Sequence, residues 1–294
     1  TLDFQVVSNT NLPSACNAFY DGISINFFPE ANGCVNTCYS TVVAHELAEQ
    51  AAGLEIPPFV SIGGGSQGPG FLGMAYAPFE VDSNGRLRDL RSEVEAVRSM
   101  DRMKLLAALE KRFIRENRGS AAKQHAEVLQ STLDLMTSEQ MTAFRVDTEP
   151  DEVKERYGDN GFGRGCLMAR RLVETGVPFV EVRLGGWDLH QNCFTTLETK
   201  LPQLDQGMSA LIEDLAQRGK LEDTVVFCMG EFGRTPRINE NAGRDHWARS
   251  WSVVAGGGGI AGGRVIGETS ADGTRVESDP YSSEDLMATI CQAL

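Results

Sequence analysis

The chain has 294 residues, of which 41% are hydrophobic and 23% charged, so it is long enough to bury a substantial core in one domain. Lys and Arg number 27 against 41 Asp and Glu, and the resulting net charge of −14 repels nucleic acid and anionic membrane surfaces. The longest weakly polar stretch, 251–262, is too short and too rich in glycine to cross a membrane. We therefore expect neither a nucleic-acid partner nor a membrane span, and the oligomeric state stays open.

The N-terminal segment 1–40 is atypical: it is rich in Asn, Ser, Cys and Phe and has no sustained periodicity, which indicates mostly loop. The chain begins at Thr1 without an initiator Met or an apolar signal segment, which leaves open a processed or truncated N-terminus and export to the periplasm. The seven cysteines show no zinc-ribbon spacing, and the disulfide state also stays open.

Regular elements are predicted from residue 41 onward. The pattern indicates a short amphipathic helix at 41–53, a strand within 54–62 and a glycine-rich loop at 63–73. Residues 87–143 carry apolar side chains at helical spacing in two runs, which predicts a helical hairpin inserted beside the sheet. Its many charges indicate a solvated face, and it holds no recognisable chemistry.

From residue 163 the pattern changes to alternating helices and strands. We predict helices at 164–175, 197–218 and 284–293, and strands at 178–184, 224–229, 250–255 and 264–266. Alternation at this spacing predicts an α/β fold with a mostly parallel sheet and helices on both of its faces. We therefore interpret 1–294 as a single domain, in which 163–294 forms the half that bears the functional site.

Unusual polar residues cluster directly after the two clearest strands, in the loops 185–192 and 230–247. Ligands of open α/β sheets bind beyond the carboxyl ends of the strands, which is where these loops emerge. The cluster contains the candidate metal ligands Asp188, His190, Glu231, Asp245 and His246. Imidazole together with carboxylate suits zinc, manganese or iron, whereas an all-oxygen set suits magnesium or calcium, so the metal is not identified.

The same loops hold two arginines and two tryptophans with more than one possible role. Arg234 and Arg244 could bind an anionic substrate, or they could pair with Glu231 and Asp245. Trp187 and Trp247 could form the wall of a pocket or pack in the interior. By contrast, His45 and His125 lie within amphipathic or charged helices, where a structural role is expected.

These segments resemble a bacterial protein family known as domain of unknown function 1501. The resemblance rests on GGWDLHQN, on GEFGRTP followed by GRDHW, on VVAGGGGIAGGRVIGET and on IPPFVSIGGG, and it extends over about 42–294. The family is classed with the alkaline phosphatase and sulfatase superfamily, which implies a parallel sheet that holds two divalent metal ions.

Carried over to this chain, the resemblance implies that Asp188 and His190 bind one ion and that Glu231 contributes to the other. It also implies that His246 is the late histidine ligand of the family, with Asp245 as a further candidate. The chain also departs from the pattern. It lacks the early strand with an Asp ligand, the Cys-x-Pro-x-Arg motif and an evident nucleophile; Ser14, Ser40 and Thr41 are the loosely placed candidates.

Two functions are consistent with these residues. The first is a metal-dependent hydrolase of phosphate or sulfate esters, with a small anionic ester or a sulfated or phosphorylated saccharide as substrate. The second is a binding or structural protein that keeps the fold without turnover. The metal-binding loops favour the enzyme, whereas the missing nucleophile favours the second function and predicts an incomplete active site.

Overall fold

The structure is a computed structural model that describes residues 5–7, 39–48, 51, 53–64, 68–85, 96–116, 121–230 and 232–294. In chain order the elements are β1 (Gln5–Val7), α1 (Tyr39–Glu46), β2 (Phe59–Ile62), β3 (Phe79–Val81), α2 (Ala96–Arg115), α3 (Ala121–Thr137), α4 (Asp151–Tyr157), α5 (Gly161–Thr175), β4 (Phe179–Val182), α6 (Cys193–Gln217), β5 (Val226–Cys228), β6 (Gly233–Arg234), β7 (His246–Trp247), β8 (Trp251–Gly256) and α7 (Ser283–Ala293). Short 3-10 turns lie at Gly70–Leu72, Met74–Tyr76, Glu139–Phe144, Val146–Thr148 and Leu221–Asp223.

A parallel sheet of three strands in the order β3-β2-β4 forms the centre of the fold. Val60 of β2 lies opposite Phe79 of β3 and Val180 of β4, and all four residues of β2 are buried. A strand covered on both faces is expected to be a continuous apolar run, and the sequence FVSI comes close to that pattern. This sheet and the helices beside it establish the predicted α/β class.

The remaining described strands pair differently. β8 lies between β1 and β5 and is antiparallel to both, and β6 is antiparallel to β7. The predicted mostly parallel sheet is therefore not confirmed. No helix intervenes between β5 and β8, and a chain that returns without a crossover helix pairs antiparallel. The strand predicted at 264–266 is wrong: the segment is irregular, and Val265 is exposed.

Two apolar clusters hold the layers together. The larger one lies where α5 packs on the parallel sheet, with Ile62, Leu167, Met168 and Leu172 almost fully buried. The smaller one joins β8 to α7 and α1, around residues that include Val253 and Ile290. Each fully buried aliphatic side chain contributes about 1.5–3 kcal/mol, so these two clusters position β4, β5 and β8.

The predicted helical hairpin is present as α2 and α3, which pack against each other. Residues 87–95 and 117–120 of the predicted insertion lie outside the described residues, and its last part lies in the 3-10 turn Glu139–Phe144 instead of continuing α3. The exposed face of α2 carries charged residues, among them Arg102 and Lys104. No helix in the described part of the chain is both long and apolar enough to cross a membrane.

A buried ionic network joins α4, α5 and α6. The Arg170 guanidinium is almost fully buried and lies 2.8 Å from Glu174, 3.0 Å from Glu149 and 3.6 Å from Asp214. Asp214 also accepts a 3.0 Å hydrogen bond from the Tyr157 hydroxyl. Burial alone would raise the pKa of Glu149, but hydrogen bonds from Arg171 and Arg170 hold it below the usual value. Glu149 is therefore expected to be ionised at neutral pH.

We predict that Asp214→Ala lowers the free energy of unfolding by about 1–3 kcal/mol, because the buried Tyr157 hydroxyl loses its acceptor while Arg170 keeps Glu149 and Glu174. Urea denaturation followed by circular dichroism measures the change. The matched control is Asp159→Ala, which removes a fully exposed partner of Arg164 and should leave the midpoint unchanged. Equal midpoints for the two variants would contradict the prediction.

Candidate metal centre

The centre is built from two loops whose backbones are hydrogen-bonded to each other. The first follows β4 and leads into α6, and the second lies between β6 and β7. The amides of Asn192 and Cys193 donate to the carbonyls of Asn241 and Ala242, at 3.0 and 2.9 Å. In the opposite direction, the amide of Arg244 donates to the carbonyl of Leu189 at 2.9 Å. These bonds hold the two loops at a fixed separation.

Gly243 is the point of closest approach between the loops. A Cβ placed on Gly243 would lie 2.0 Å from the carbonyl carbon and oxygen of His190, a distance at which no side chain fits. The backbone beside this contact is also unusual, because Asn192 and Ala242 adopt positive φ angles of 49° and 55°. A non-glycine residue in the left-handed backbone conformation destabilises the fold by about 1–3 kcal/mol, which the surrounding hydrogen bonds must offset.

Asn239 connects the two loops through its side chain. Its Nδ2 donates to the His190 carbonyl at 3.0 Å and to Asp245 Oδ1 at 3.1 Å. Its Oδ1 accepts from the amides of Asn241 and Gly243, at 3.0 and 2.9 Å. Sequence analysis did not identify Asn239, and the available signal was its place in the polar run between GRTP and GRDHW.

Asp188, His190 and His246 converge on one point. Asp188 Oδ1 lies 2.9 Å from His190 Nε2 and 2.9 Å from His246 Nε2, and the two nitrogens are 3.3 Å apart. Two ligands of a tetrahedral zinc ion with bonds of about 2.0–2.1 Å lie about 3.3 Å apart. The separation of the two nitrogens is therefore compatible with a shared ion. Within the described residues this is the one group of three whose ligand atoms are mutually close.

Asp188 stays ionised under ordinary conditions. Its partial burial alone would raise the pKa, but hydrogen bonds from His246 and Arg234 lower it to about 2. The Arg234 guanidinium lies 2.7 Å from the same Oδ1 atom. Asp188 is therefore a carboxylate that already attracts three nitrogen groups, and Arg234 is its ion-pair partner.

Asp245 lies on the opposite side of His190 from Asp188. Its Oδ1 is 3.0 Å from His190 Nδ1, and hydrogen bonds from His190 and Asn239 hold the pKa of Asp245 below its usual value. An ionised carboxylate can only accept, so a neutral His190 ring that donates from Nδ1 to Asp245 turns the lone pair of Nε2 toward Asp188 and His246. In this arrangement Asp245 orients a ligand, a role often seen around metal-binding histidines.

Arg244 is used within its own loop. Its Nη1 donates to the carbonyls of Thr235 and Pro236, at 2.6 and 2.7 Å. These contacts are not an ion pair with Asp245, whereas Glu231 lies outside the described residues, and the binding of an anion by Arg244 stays a prediction. Arg234 does form an ion pair, but its partner is Asp188.

The other predicted residues fall in several places. Trp187 donates from Nε1 to the Leu184 carbonyl at 2.6 Å, and Trp247 packs under the Arg249 guanidinium. Ser40 and Thr41 are buried in α1. Glu231 and Ser14 lie outside the described residues. Phe232, which sequence analysis passed over, places its ring 4.5 Å from that of His246.

We predict that Gly243→Ala separates the two loops, because its methyl group would overlap the His190 carbonyl. Overpacking of this kind costs about 1–3 kcal/mol, and the affinity for a metal should fall at least about 10-fold as His190 moves. Isothermal titration with Zn²⁺ and Mn²⁺ measures this. Gly262→Ala is the control, since open space surrounds that glycine. Equal affinity in both variants would contradict the predicted role.

The titration of Asp188 gives a second prediction, made for the metal-free protein. His246→Gln removes one of the hydrogen bonds that depress the pKa, so the pKa of Asp188 should rise from about 2 toward the ordinary value of 3.8. Because the folded-state pKa is depressed, ionised Asp188 stabilises the wild-type fold above pH 3.8, and this contribution is lost as the pH falls through about 2. Carbon-detected NMR of the carboxyl group measures both values. A midpoint near 3.8 in the wild type would exclude the interaction.

Comparison with known proteins yields one family. No curated protein and no solved structure matches the chain. Residues 30–294 match the family described as Protein of unknown function (DUF1501), and this match covers all the residues of the centre. The chain therefore belongs to the DUF1501 family.

Proposed function

We propose that the protein is a metal-dependent hydrolase of phosphate or sulfate esters, related to the alkaline phosphatases and sulfatases. The observation that carries the proposal is the convergence of Asp188, His190 and His246 on one point. In a neutral His190 ring with its proton on Nδ1 toward Asp245, the Nε2 lone pair points at the ionised carboxylate of Asp188. Two acceptors at 2.9 Å repel each other unless a proton or a metal ion lies between them.

The donor set fits a divalent cation. Two imidazole nitrogens and one carboxylate suit zinc or manganese better than calcium, which prefers oxygen ligands. Asp245 contacts the other ring nitrogen of His190, Nδ1, and favours the tautomer in which Nε2 can bind the ion. When bound, the ion would supply Lewis acidity, which polarises an ester oxygen and offsets its negative charge. Glu231 lies outside the described residues, but it comes three residues after β5 in the sequence, and we assign it to a second ion as part of the proposal.

The residues around the cluster suit an anionic substrate. Arg234 is partly exposed beside Asp188, so its guanidinium can contact an oxygen of a phosphate or sulfate group while it still orients the carboxylate. Phe232 lies 5.8 Å from this guanidinium and 4.5 Å from the His246 ring, and it adds an apolar ring beside the cluster. A small ester, or a sulfated or phosphorylated saccharide, is the substrate class we propose.

A second function, metal-dependent binding without turnover, is favoured by the positions of the nucleophile candidates. Ser40 and Thr41 are buried in α1, with at most 6% of either residue exposed. The Thr235 hydroxyl lies closer, but it donates to the Arg237 carbonyl at 2.8 Å and accepts from the Asp245 amide. Catalysis would then require a group that lies outside the described residues or direct attack by water.

The test combines metal analysis with turnover. We expect the purified protein to bind Zn²⁺ or Mn²⁺, and we expect His246→Gln and Asp188→Asn each to weaken binding at least about 100-fold, since each removes a ligand. Titration calorimetry measures affinity, and 4-nitrophenyl phosphate and sulfate report hydrolysis. The controls are His125→Gln and Lys104→Gln, exposed substitutions in the helical hairpin.

The outcomes separate the two functions. Turnover that is lost in His246→Gln and kept in His125→Gln supports the hydrolase. Metal binding with the same dependence on His246 but without turnover of either ester supports the binding protein. Unchanged metal affinity in both His246→Gln and Asp188→Asn would overturn the metal centre itself.

A further inference from the structure

The backbone that leads to Asp188 is held to other elements on both sides of that residue. Before it, the amide of Arg183 donates to β2 at 2.9 Å, and after it, the carbonyl of Leu189 accepts from the second loop of the centre at 2.9 Å. Between these two residues, the described hydrogen bonds of the backbone stay within the loop, with one exception. The Lys200 ammonium of α6 donates to the carbonyl of Gly185 at 2.5 Å.

Lys200 also lies close to the two residues that follow Gly185. A Cβ placed on Gly186 would lie 2.8 Å from Lys200 Nζ, so the ammonium lies directly beside the loop backbone. The same nitrogen is 5.8 Å from the centroid of the Trp187 ring, and a cation within about 6 Å of an indole ring is attracted to it. Lys200 therefore borders three consecutive residues that directly precede Asp188.

The turn at 184–187 has bonds of its own, but these bonds do not fix its position. The Trp187 indole donates from Nε1 to the Leu184 carbonyl at 2.6 Å, and the Trp187 carbonyl accepts from the amide of Leu189 at 2.8 Å. Donor and acceptor belong to the same loop in both cases, so these bonds determine its shape. The bond from Lys200 relates that shape to α6.

The helix α6 is anchored well enough to hold the loop. Its residues Met208 and Ala210 are buried, and Ala210 belongs to the larger apolar cluster. At its first residue, the amide of Cys193 donates to the carbonyl of Ala242 in the second loop at 2.9 Å. Lys200 follows about two turns later. The same helix is thus bonded to both loops of the centre.

The position of the loop matters because Asp188 has strict geometric requirements. Its Oδ1 lies 2.9 Å from a nitrogen of His190 and 2.9 Å from a nitrogen of His246. A shift of the loop by about 1 Å would lengthen these contacts beyond the range of a hydrogen bond. A bond from a charged donor resists such a shift better than a bond between neutral groups.

We propose that Lys200 is a positioning residue of the metal centre. Its ammonium holds the turn at 184–187 against α6 and thereby presents Asp188 to His190 and His246. This inference deepens the proposed function, because it takes the metal centre as given. The contacts that carry it belong to the metal-free protein, so they can be tested without a metal.

The test compares Lys200→Met with Lys220→Met. Methionine keeps an unbranched side chain and removes the ammonium. Lys220 is exposed just after α6, so its substitution controls for the loss of one positive charge. The reporter is the indole N–H of Trp187, whose exchange with water is measured by NMR in the metal-free protein. The buried Trp251 of β8 is the internal reference, and Trp187→Phe assigns the signal.

We expect Lys200→Met to speed the exchange of the Trp187 indole at least about 5-fold, because the turn opens more often, and to leave Trp251 unchanged. The loss of a charge has the opposite effect: a cation attracts hydroxide, which catalyses exchange, so its removal alone slows exchange. We expect no acceleration in Lys220→Met. Unchanged or slower exchange of Trp187 in Lys200→Met would overturn the proposal.

Metal affinity and stability are measured on the same two variants. Titration calorimetry should show Zn²⁺ affinity at least about 10-fold weaker in Lys200→Met, with a urea midpoint equal to that of Lys220→Met. Equal Zn²⁺ affinity in the two variants, or a lower midpoint in Lys200→Met, would overturn the positioning role. Wild-type protein that binds no metal would overturn the proposed function instead, and the exchange of Trp187 would then decide on Lys200 by itself.

Discussion

The contact between Gly243 and the His190 carbonyl is the constraint on which the centre depends. The two loops come from separate parts of the sheet, and their functional side chains meet because two backbones pass each other without an intervening Cβ. Asn239 then fixes this approach by bonding the His190 carbonyl and the Asp245 carboxylate with the same amide nitrogen. The positive φ angles of Asn192 and Ala242 are consistent with strain stored at a functional site and offset by these bonds.

The rest of the fold holds the ends of these loops in place. α5 and α6 pack closely, and the network around Arg170 ties both to α4, so the start of the first loop is anchored by β4 and its end by α6. The second loop is anchored by the β6–β7 pair, in which Arg234 lies opposite His246. This register places Arg234 beside His246, and both side chains contact Asp188. The pairing of β6 with β7 therefore determines which groups surround the Asp188 carboxylate.

Much of the centre could be predicted from the sequence, because Asp188, His190 and His246 follow or flank strand ends, where open α/β sheets bind ligands. The contribution of Asn239 and Gly243 could not, since it depends on contacts between backbones distant in the chain, which leave no periodic signal. The fold shows the same limit. The apolar runs in the sequence predicted where β4 and β5 lie. They did not predict that β8 pairs antiparallel with β5. The apolar run at 264–266 is exposed and does not form a strand.

The positions of the arginines bear on how an acidic protein could select an anion. The chain carries a net charge of −14, so an anionic ester must find positive charge locally. Arg244 is engaged with two carbonyl groups, and the charge of Arg234 is largely balanced by Asp188 at 2.7 Å. Asp245 adds a further negative charge beside His190. The described side chains thus give the metal-free centre little attraction for an anion, and under the proposed function the bound cation both attracts and activates the substrate.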